Sequence, residues 1–569
     1  MDGRLPLRKV WKISAFKYMG KSILSLCSAH HDSNLSACVD NKVRTIEFER
    51  VLGNRYLAFE RLSLDKKIGL LDYSQNILKK GGVFCAEYDV GLFDWVTCTE
   101  TVQMLQDFFH IKEIHHEDEV TSHHKAHAAG AFYSSGFDEA LVISHDGGGN
   151  DGTFCAFNLD KNSPDFRQLN PFTENHFSTK YCMIARCISE IQPTGDSPLR
   201  HCLQRNSHEA SATPWAHRRL NEVEQGVAGK LMGLAAYGSF DQNLFDLIID
   251  YFRHPNPSPN PYNPLFWDSF GEMVRTGVKG QDAYNLAFNA QCAFEEHFLE
   301  LFSKYFNPNE HQNVCLAGGG ALNVVLNERL SKEYPGSNFF VPSSPGDSGL
   351  SYGMIAHYLQ NGVVPEIMYM GCEVLDPNSL SDILMSRPWR KATPALIADE
   401  LSKGKIIGVC RGNSETGPRA LGNRSILADP RNHQAKDIIN NKVKFREWYR
   451  PFAPVCKEES AHTFFETSRN VSYRYMSFSP PVRKEYQEVL PAVTHVDGSS
   501  RLQTISANQN QFLYNVLDEF EKITKIPVLV NTSFNTKGKA ILTRYLTALQ
   551  VLDSTGLDGV VLEDYYISK

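Results

Sequence analysis

Two stretches in which an apolar strand runs into a glycine turn constrain the fold of this chain most. "EALVISHDGGGNDGT" (139–153) and "NVCLAGGGALNVVLNERL" (313–330) share this order, and the second continues directly into a helical pattern. Glycines let the backbone approach an anion closely, and the free N–H groups of a helix N-terminus face it. A tight connection without a ligand is the alternative for either turn alone. Together the turns predict an α/β fold that holds a nucleotide at strand ends.

Further strand-like runs and helical stretches alternate along the chain and extend the α/β prediction. "SILSLCSAHHDSNLSACVD" and "KIIGVCRGNSETGPRALG" are strand-like, and "NAQCAFEEHFLELFSKYF" is helical. With Asp32 in a hairpin near the start, the set suggests the two-lobed ATPase arrangement of actin, sugar kinases and Hsp70 proteins. Neither a P-loop nor a dinucleotide fingerprint is present in the sequence. Periodicity is lost around Pro365 and Pro377, which predicts domains at 1–365 and 366–569.

Composition places the chain among ordinary globular proteins. It has 569 residues, 42% of them hydrophobic and 22% charged, which is enough for several well-packed domains. Its 13 cysteines form no CxxC pair and predict reduced thiols in a cytoplasm. No segment reaches the roughly 18 apolar residues of a membrane helix. The net charge of −7 argues against wholesale nucleic-acid coating and leaves a local basic groove open.

The segment "TSHHKAHAAG" (121–130) contains three histidines next to helix-forming alanines. On a helix, His123 and His127 would lie on one face with Cβ atoms roughly 5–6 Å apart, close enough to share a metal ion. His124 would point elsewhere. A solvated helix start is the alternative interpretation of the motif on its own.

Seven motifs in fixed order carry a resemblance to a known family. They are "HHKAHAAGAFYSSGF", "GKLMGLAAYG", "CLAGGGALN", "SSPGDSGLSYG", "TGPRALGNRSILADPRN", "KFREWYRPFAPV" and "NTSFNTKGKAIL". The chain resembles the O-carbamoyltransferases of the NodU/CmcH family over almost its whole length. The resemblance implies a Kae1-like N-terminal domain fused to a YrdC-like C-terminal domain, which agrees with the boundary drawn from the lost periodicity.

The resemblance also implies roles for residues of the N-terminal domain. His123, His127 and Asp347 would bind a divalent metal, with iron(II) as the first expectation and Mg²⁺ or Mn²⁺ as the alternatives. Two imidazoles and one carboxylate leave coordination positions open for a phosphate or a hydroxyl. His31 would serve the acceptor as a binding group or general base. The residues implied to hold the nucleotide are Gly147, Gly148, Lys230, Gly318, Gly319, Gly320 and Asn323.

The C-terminal half contains a basic run, "NNKVKFREWYRPFAP" (440–454), interleaved with aromatic residues. A solvated basic face is the ordinary interpretation of such a run. The resemblance instead implies a pocket for carbamoyl phosphate and ATP, in which Lys444 and Arg450 act in catalysis. The residues expected there are Arg419, Lys442, Lys444, Arg450, Arg501, Ser533 and Asn535. One departure is Thr416, where the family usually has an aromatic residue before Gly-Pro-Arg.

The implied activity is ATP-dependent O-carbamoyl transfer, with carbamoyl phosphate and ATP as co-substrates. Carbamoyl-adenylate would form at the YrdC-like site, pass through an internal chamber, and react at the Kae1-like site with an acceptor hydroxyl. A homodimer would be ordinary for the family.

The acceptor is suggested only by a basic segment between residues 192 and 226. Basic side chains with an interleaved aromatic residue suit a phosphate backbone and an extruded base. Because the resembled family includes viral enzymes that carbamoylate hydroxymethylcytosine in DNA, the resemblance and this segment together favour 5-hydroxymethylcytosine in DNA, in the cytoplasm of a bacterial host if the protein is viral. A small polyhydroxylated metabolite of the aminoglycoside, antibiotic or Nod-factor type remains open, as does an exposed loop without function. The expected contact residues are Arg200, Arg205, Trp215, Arg218 and Arg219.

Three other classes of protein share parts of these patterns. A tRNA threonylcarbamoylation factor would not normally carry this C-terminal half. A hydrogenase-maturation carbamoyltransferase should show CxxC pairs, which the sequence lacks. An ATP-binding regulator of the Hsp70 class would not need the basic aromatic run.

Overall fold

The computed structural model describes residues 20–28, 31–162, 164–172, 176–191, 226–254, 264–360 and 368–569. The basic segment that contains Arg200, Arg205, Trp215, Arg218 and Arg219 lies outside the described residues. The described chain forms three sheets, two before residue 341 and one after residue 389.

The first sheet has the order β3-β2-β1-β4-β5. Its strands are β1 Ile23–Cys27, β2 Asn34–Val39, β3 Lys42–Glu47, β4 Tyr88–Phe93 and β5 Ile111–His116. β1, β2 and β3 are antiparallel, whereas β1, β4 and β5 are parallel. The β2–β3 turn places Asp40 and Asn41 at φ 48° and 61°, the left-handed conformation that short-chain Asp and Asn tolerate in tight hairpins. Asp32 precedes β2, beside this hairpin.

The second sheet repeats the plan with the order β7-β6-β8-β9. Its strands are β6 Glu139–His145, β7 Phe154–Asp160, β8 Asn313–Ala317 and β9 Asn338–Phe340. β6 and β7 form an antiparallel hairpin, and β6, β8 and β9 run parallel. Both glycine turns therefore leave the sheet at the carboxyl ends of neighbouring parallel strands, the edge at which open α/β sheets bind ligands.

Eleven helices accompany these two sheets among the described residues. They are α1 Phe48–Leu52, α2 Leu64–Lys80, α3 Thr99–Phe109, α4 His123–Ser135, α5 Phe177–Ile184, α6 Ala228–Ala235, α7 Gln242–Arg253, α8 Pro264–Thr276, α9 Gly280–Phe302, α10 Val324–Glu333 and α11 Leu350–Leu359. Buried aromatic residues of α5, α7 and α9 pack beside the second sheet.

Helices α4 and α11 lie between the two sheets and contact each other. α4 packs on β6 and β8, and α11 packs on β1, β2 and β4. The helices approach closely because glycines face each other. A Cβ atom on Gly353 would lie 2.2 Å from the Ala126 carbonyl oxygen, and one on Gly130 would lie 3.4 Å from the Gly353 Cα. No larger side chain at position 353 is compatible with this distance.

The C-terminal sheet has eight strands in the order β10-β17-β16-β11-β12-β15-β13-β14. The strands are β10 Arg390–Lys391, β11 Ile407–Cys410, β12 Arg424–Ala428, β13 Ala453–Lys457, β14 Gln503–Ile505, β15 Val528–Ser533, β16 Gly559–Leu562 and β17 Tyr565–Ser568. Helices of this region are α12 Ser379–Ser386, α13 Pro394–Ser402, α14 Ala435–Ile438, α15 Ala461–Phe464, α16 Lys484–Gln487, α17 Gln511–Thr524 and α18 Tyr545–Ser554. α13 and α17 pack together over an aliphatic face of the sheet.

The structure confirms the predicted α/β class, with two sheets in the N-terminal region and one in the C-terminal region, which agrees with the Kae1-like unit fused to a YrdC-like unit that the resemblance implies. One hydrophobic core contains side chains from both regions, among them Phe294, Phe298, Phe452 and Phe478. The boundary expected at residue 365 falls in 361–367, outside the described residues, and stays a prediction.

The α4–α11 crossing gives a testable prediction. Gly353→Ala should destabilise the protein by about 1–3 kcal/mol, because the added methyl group overlaps the Ala126 carbonyl. Gly69→Ala is the matched control, since Gly69 lies exposed in α2 with no atom within 4 Å of the new Cβ. It should be neutral or stabilising by up to about 1 kcal/mol. Urea unfolding measures both, and equal stability of the two variants would contradict the close crossing.

Candidate functional site

Four side chains from three elements meet at the end of the α4–α11 crossing. His123 and His127 lie on α4, Asp146 follows β6, and Asp347 opens the turn that leads into α11. One ligand atom from each lies within 4.8 Å of every other, the one such group of three or more histidine, cysteine or acidic residues among the described residues. Asp347 lies within this group because the helix that follows it, α11, packs against α4.

The distances within this group fit a shared cation. His127 Nε2 lies 3.2 Å from Asp146 Oδ2 and 3.5 Å from Asp347 Oδ1. His123 Nε2 lies 3.9 and 3.8 Å from the same two oxygens. Adjacent ligands of an octahedral ion with bonds of about 2.1 Å lie roughly 3 Å apart. Both Nε2 atoms are buried without a hydrogen-bond partner, the orphaned state that a metal ion would relieve.

The charge of the group also suits a bound cation. Burial opposes protonation of His127, yet the neighbouring carboxylates of Asp146 and Asp347 raise its pKa to about 9. Burial alone would raise the pKa of Asp146, but the two histidines hold it well below its usual value. Two carboxylates and two imidazoles form a donor set suited to iron(II), manganese(II) or magnesium.

The remaining histidine of the motif is structural. His124 Nδ1 lies 2.7 Å from the Ser144 hydroxyl, and Nε2 lies 2.9 Å from the Gly152 carbonyl oxygen, so both ring nitrogens are occupied. The N-terminus of α4 is closed by Asp151, whose carboxylate accepts from the backbone N–H of His124 at 3.0 Å. The turn of the β6–β7 hairpin thus fixes the direction in which the metal-facing histidines project.

His31 lies beside the metal group. Its Nδ1 is 3.1 Å from Asp32 Oδ2, and its Nε2 is 3.6 Å from Asp347 Oδ2. Burial opposes protonation, but the charges of Asp347 and Asp32 raise the pKa of His31 to about 9. The ring keeps 30% of its surface exposed, so an incoming hydroxyl can reach it.

The two glycine turns predicted to hold a nucleotide meet around Asp146. The Gly319 N–H donates to Asp146 Oδ2 at 2.7 Å, and the Gly147 carbonyl accepts from the His176 ring at 2.9 Å. Gly318 has φ 84°, and a Cβ there would lie 2.2 Å from the His145 carbonyl oxygen. Gly148 and Gly320 lie in the same two turns.

Two predicted nucleotide ligands have other partners. Lys230 forms a 2.8 Å ion pair with Glu447 of the C-terminal region. Asn323 caps α10 through the Leu326 N–H at 3.1 Å and exchanges hydrogen bonds of 3.1 Å with Gln291. Their contact with a nucleotide stays a prediction.

In the C-terminal region, Lys444 meets two of its predicted neighbours. Its Nζ donates to the Ser533 carbonyl at 2.6 Å, to the Ser533 hydroxyl at 3.1 Å and to Asn535 Oδ1. Lys444 ends a widened π-helical turn, Ile439–Lys444, and Phe445 then reverses the chain at φ 49°. The ammonium group is therefore fixed at the carboxyl end of β15.

Six cationic side chains, Lys444 among them, lie close together here with almost no negative charge to neutralise them. They are Arg55, Arg419, Lys444, Arg446, Arg450 and Arg501. Burial and the neighbouring cations lower the pKa of Arg419 to about 10 and that of Arg446 to about 9. They hold those of Lys444 and Arg501 well below their usual values. Within the described residues, Glu447 is the one carboxylate at ion-pair distance, 3.7 Å from Arg450. This cation cluster calls for a polyanionic ligand.

Arg55 belongs to the cation cluster although it comes from the N-terminal region. Its charge lowers the pKa of both Arg419 and Lys444. The guanidinium lies 4.6 Å from the centre of the Tyr56 ring, whose residue has φ 58°. Asn54 forms a β-bridge with Lys539, which anchors this loop to the C-terminal region.

Sequence reasoning missed Asp146 and Arg55. The position of Asp146 directly after a buried strand was a usable signal. The prediction for this turn rested on its glycines instead. Arg55 had no local signal, because its partners lie hundreds of residues away in the sequence. Lys442, in contrast, was expected in the pocket but is exposed and lies against Gly556.

Two small cavities lie between the metal group and the cation cluster. The first is lined by His127, Ser344 and Thr416, and the second by Ser343 and Arg419, and both are lined by Pro342. Thr416 is buried with its hydroxyl 3.4 Å from that of Ser343. An aromatic residue at 416 would project into the first cavity.

Comparison with known families decides the class of the protein. Residues 63–355 match the Carbamoyltransferase N-terminus family, and residues 398–569 match the Carbamoyltransferase C-terminus family. The chain belongs to the carbamoyltransferase family. The predicted enzyme class is therefore confirmed: the protein is a carbamoyltransferase.

The chain is similar in sequence to several other proteins. The chain is 31% identical to protein sll1178 of Synechocystis, covering 79% of this chain and 75% of that one. It is 31% identical to nodulation protein NolO of Bradyrhizobium diazoefficiens, covering 79% of each. It is 32% identical to nodulation protein NolNO of Sinorhizobium fredii, covering 79% of this chain and 63% of the relative. The structure of HypF from T. kodakarensis aligns at 14% identity with a TM-score of 0.32, over 61% of this chain and 49% of HypF.

Within the described ranges, the carbamoyltransferase has no helix whose length and hydropathy would let it cross a bilayer.

The metal group leads to a direct prediction. Protein purified with iron(II) should hold about one equivalent of metal per chain, and His127→Ala or Asp146→Asn should lower it towards zero, because each removes one buried ligand. His462→Ala is the control, since His462 is exposed in the C-terminal region. Metal analysis by mass spectrometry gives the content. Wild-type metal content in both ligand variants would contradict the assignment.

Proposed function

We propose that this carbamoyltransferase forms carbamoyl-adenylate from carbamoyl phosphate and ATP at the cation cluster and transfers the carbamoyl group at the metal group. The cation cluster carries this proposal, since six cations with one carboxylate partner suit two phosphorylated substrates together. The family match supports carbamoyl transfer as the overall reaction.

The first step is a substitution at the α-phosphorus of ATP. Carbamoyl phosphate loses its phosphoryl group to water as inorganic phosphate, and a carbamate oxygen then attacks the α-phosphorus while pyrophosphate leaves. Lys444 donates hydrogen bonds to Ser533 and Asn535. A phosphoryl oxygen of the bound substrate would accept from the same ammonium group in place of one of them. Arg419, Arg450 and Arg501 would hold the remaining phosphate oxygens and neutralise the charge that the leaving group develops.

The second step takes place in the N-terminal region. His123, His127, Asp146 and Asp347 would hold the divalent cation, which when bound stabilises negative charge on the departing AMP. His31 lies beside Asp347, where it would bind the acceptor hydroxyl and, in its neutral form, take the hydroxyl proton as oxygen attacks the carbamoyl carbon, a form that its pKa of about 9 favours at alkaline pH. AMP leaves and a carbamate ester remains. Passage of carbamoyl-adenylate from the cation cluster to the metal group through an internal chamber is the remaining part of this proposal.

For the acceptor we propose 5-hydroxymethylcytosine in DNA, on the basic segment from Arg200 to Arg219. A small polyhydroxylated compound is the second candidate, and the surroundings of His31 favour it. Asp32 is 28% exposed there. Burial and the charge of Asp32 raise the pKa of nearby Glu49. Carboxylates repel a phosphate backbone and accept hydrogen bonds from hydroxyl groups.

Variants of the cation cluster and variants of the metal group should impair different steps of the reaction. Lys444→Ala and Arg450→Ala should abolish carbamoyl-phosphate-dependent release of pyrophosphate from ATP, because each removes a phosphate-facing cation. His123→Ala should retain most of that release and lose transfer to any acceptor. Lys484→Ala, an exposed lysine of α16, is the control and should behave as wild type. Equal loss of pyrophosphate release in all three site variants would contradict the two-step assignment.

A panel of acceptors tests the last step. The enzyme, ATP and carbamoyl phosphate are incubated with hydroxymethylcytosine-containing DNA, ordinary DNA, aminoglycosides and simple sugars, and mass spectrometry detects gain of one carbamoyl group. Gain on the modified DNA, lost in an Arg218→Ala, Arg219→Ala double variant and falling steeply with salt, is expected. Gain confined to small polyols would refute the DNA proposal and establish the second candidate.

A further inference from the structure

The loop that carries Arg419 is fixed by the N-terminal region. It runs from Glu415 to Gly417 and reaches the cation cluster two residues later. Arg50, in the short helix α1, donates through Nη1 to the Glu415 carbonyl at 2.6 Å and through Nη2 to the Gly417 carbonyl. The two Nη atoms of one guanidinium group therefore donate to two carbonyl oxygens of this loop.

Glu47 completes the clamp from the residue that precedes α1. One carboxylate oxygen lies 2.6 Å from Arg50 Nε, and the other accepts from the Gly417 N–H at 2.7 Å. Arg50 is 3% exposed and Glu47 is 6% exposed, so solvent does not compete for these bonds. The Arg50 carbonyl in turn accepts from the Thr543 hydroxyl at 3.1 Å. The Glu47–Arg50 pair therefore contacts the C-terminal region at two places, the loop at residues 415–417 and Thr543.

Gly417 has little freedom to move within this clamp. It has φ 92°, and a Cβ there would lie 2.2 Å from the Ser343 carbonyl oxygen. The C-terminal region fixes the other end of the loop by itself. One oxygen of Glu415 accepts from the backbone N–H groups of Leu421 and Asn423 at 2.7 Å. The C-terminal region also holds Thr416, whose N–H donates to the Met368 carbonyl at 3.0 Å, whereas the carbonyls of Glu415 and Gly417 and the Gly417 N–H are held by the N-terminal region.

We infer that Glu47 and Arg50 are positioning residues for the anion pocket of the C-terminal region, acting by holding the loop that places Arg419. The inference rests on the proposed function, since it concerns the geometry of the pocket assigned there to carbamoyl phosphate and ATP. The same helix leads to Arg55, which joins the cation cluster directly. The α1 segment of the N-terminal region thus both holds the loop before Arg419 and contributes a cation to the C-terminal pocket.

Arg50→Lys tests the inference, because lysine keeps the charge but cannot donate to both carbonyls while it also lies against the Glu47 carboxylate. The KM for carbamoyl phosphate in the pyrophosphate-release reaction should rise about tenfold to a hundredfold, as expected when a phosphate-binding group is misplaced. Metal content should stay at the wild-type value. A purely structural role would lower the active fraction, and with it kcat, without moving KM.

Two further variants make the result specific. Glu47→Gln keeps the side-chain volume and the bond from the Gly417 N–H but removes the charge that orients Arg50, so KM should rise in the same direction. Arg387→Lys is the matched control, because Arg387 forms an equally bidentate pair with Asp553, at 2.8 and 2.6 Å, away from the cation cluster. Its KM should stay at the wild-type value.

The outcomes separate the inference from the function on which it rests. If the wild-type enzyme releases no pyrophosphate in response to carbamoyl phosphate, the proposed function is wrong. If the wild-type enzyme does so and Arg50→Lys and Glu47→Gln keep the KM of Arg387→Lys, the positioning role is wrong and the proposed function stands.

Discussion

The close crossing of α4 and α11 is the contact on which the metal group depends. His123 and His127 project from α4, whereas Asp347 reaches them from the turn before α11, more than two hundred residues later in the chain. A side chain at Gly353 would push the helices apart, because the Ala126 carbonyl already occupies the space of its Cβ. Each helix also covers a different sheet, so the same contact joins the two lobes of the N-terminal region.

The two functional groups of this carbamoyltransferase each concentrate buried ionisable side chains. At the metal group, two carboxylates meet histidines whose Nε2 atoms have no hydrogen-bond partner. At the cation cluster, guanidinium and ammonium groups lower the pKa of one another. Burying uncompensated charge destabilises a fold, so such sites persist where ligands of opposite charge fill them. The first group suits a divalent cation, and the second suits phosphates.

The sequence predicted the α/β class and the facing pair of histidines because both follow from local periodicity. Ser533 and Asn535 were expected near Lys444 only through motif resemblance, and the structure brings the three together. Asp146 was missed because one carboxylate beside three glycines has no periodic signal. Arg55, Glu47 and Arg50 were missed because their roles depend on a contact between regions that local patterns do not encode.

The central claim is that carbamoyl-adenylate links the two sites, and oxygen tracing tests it most directly. Carbamoyl phosphate labelled with ¹⁸O in its carbamoyl oxygens is turned over with unlabelled ATP and an accepted hydroxyl compound, and the AMP is analysed by mass spectrometry. A carbamate oxygen that attacks the α-phosphorus stays on that phosphorus when the acceptor takes the carbamoyl group. The account therefore predicts one ¹⁸O atom in the phosphate of AMP. Carbamoylated product formed together with unlabelled AMP would show direct transfer from carbamoyl phosphate and contradict it.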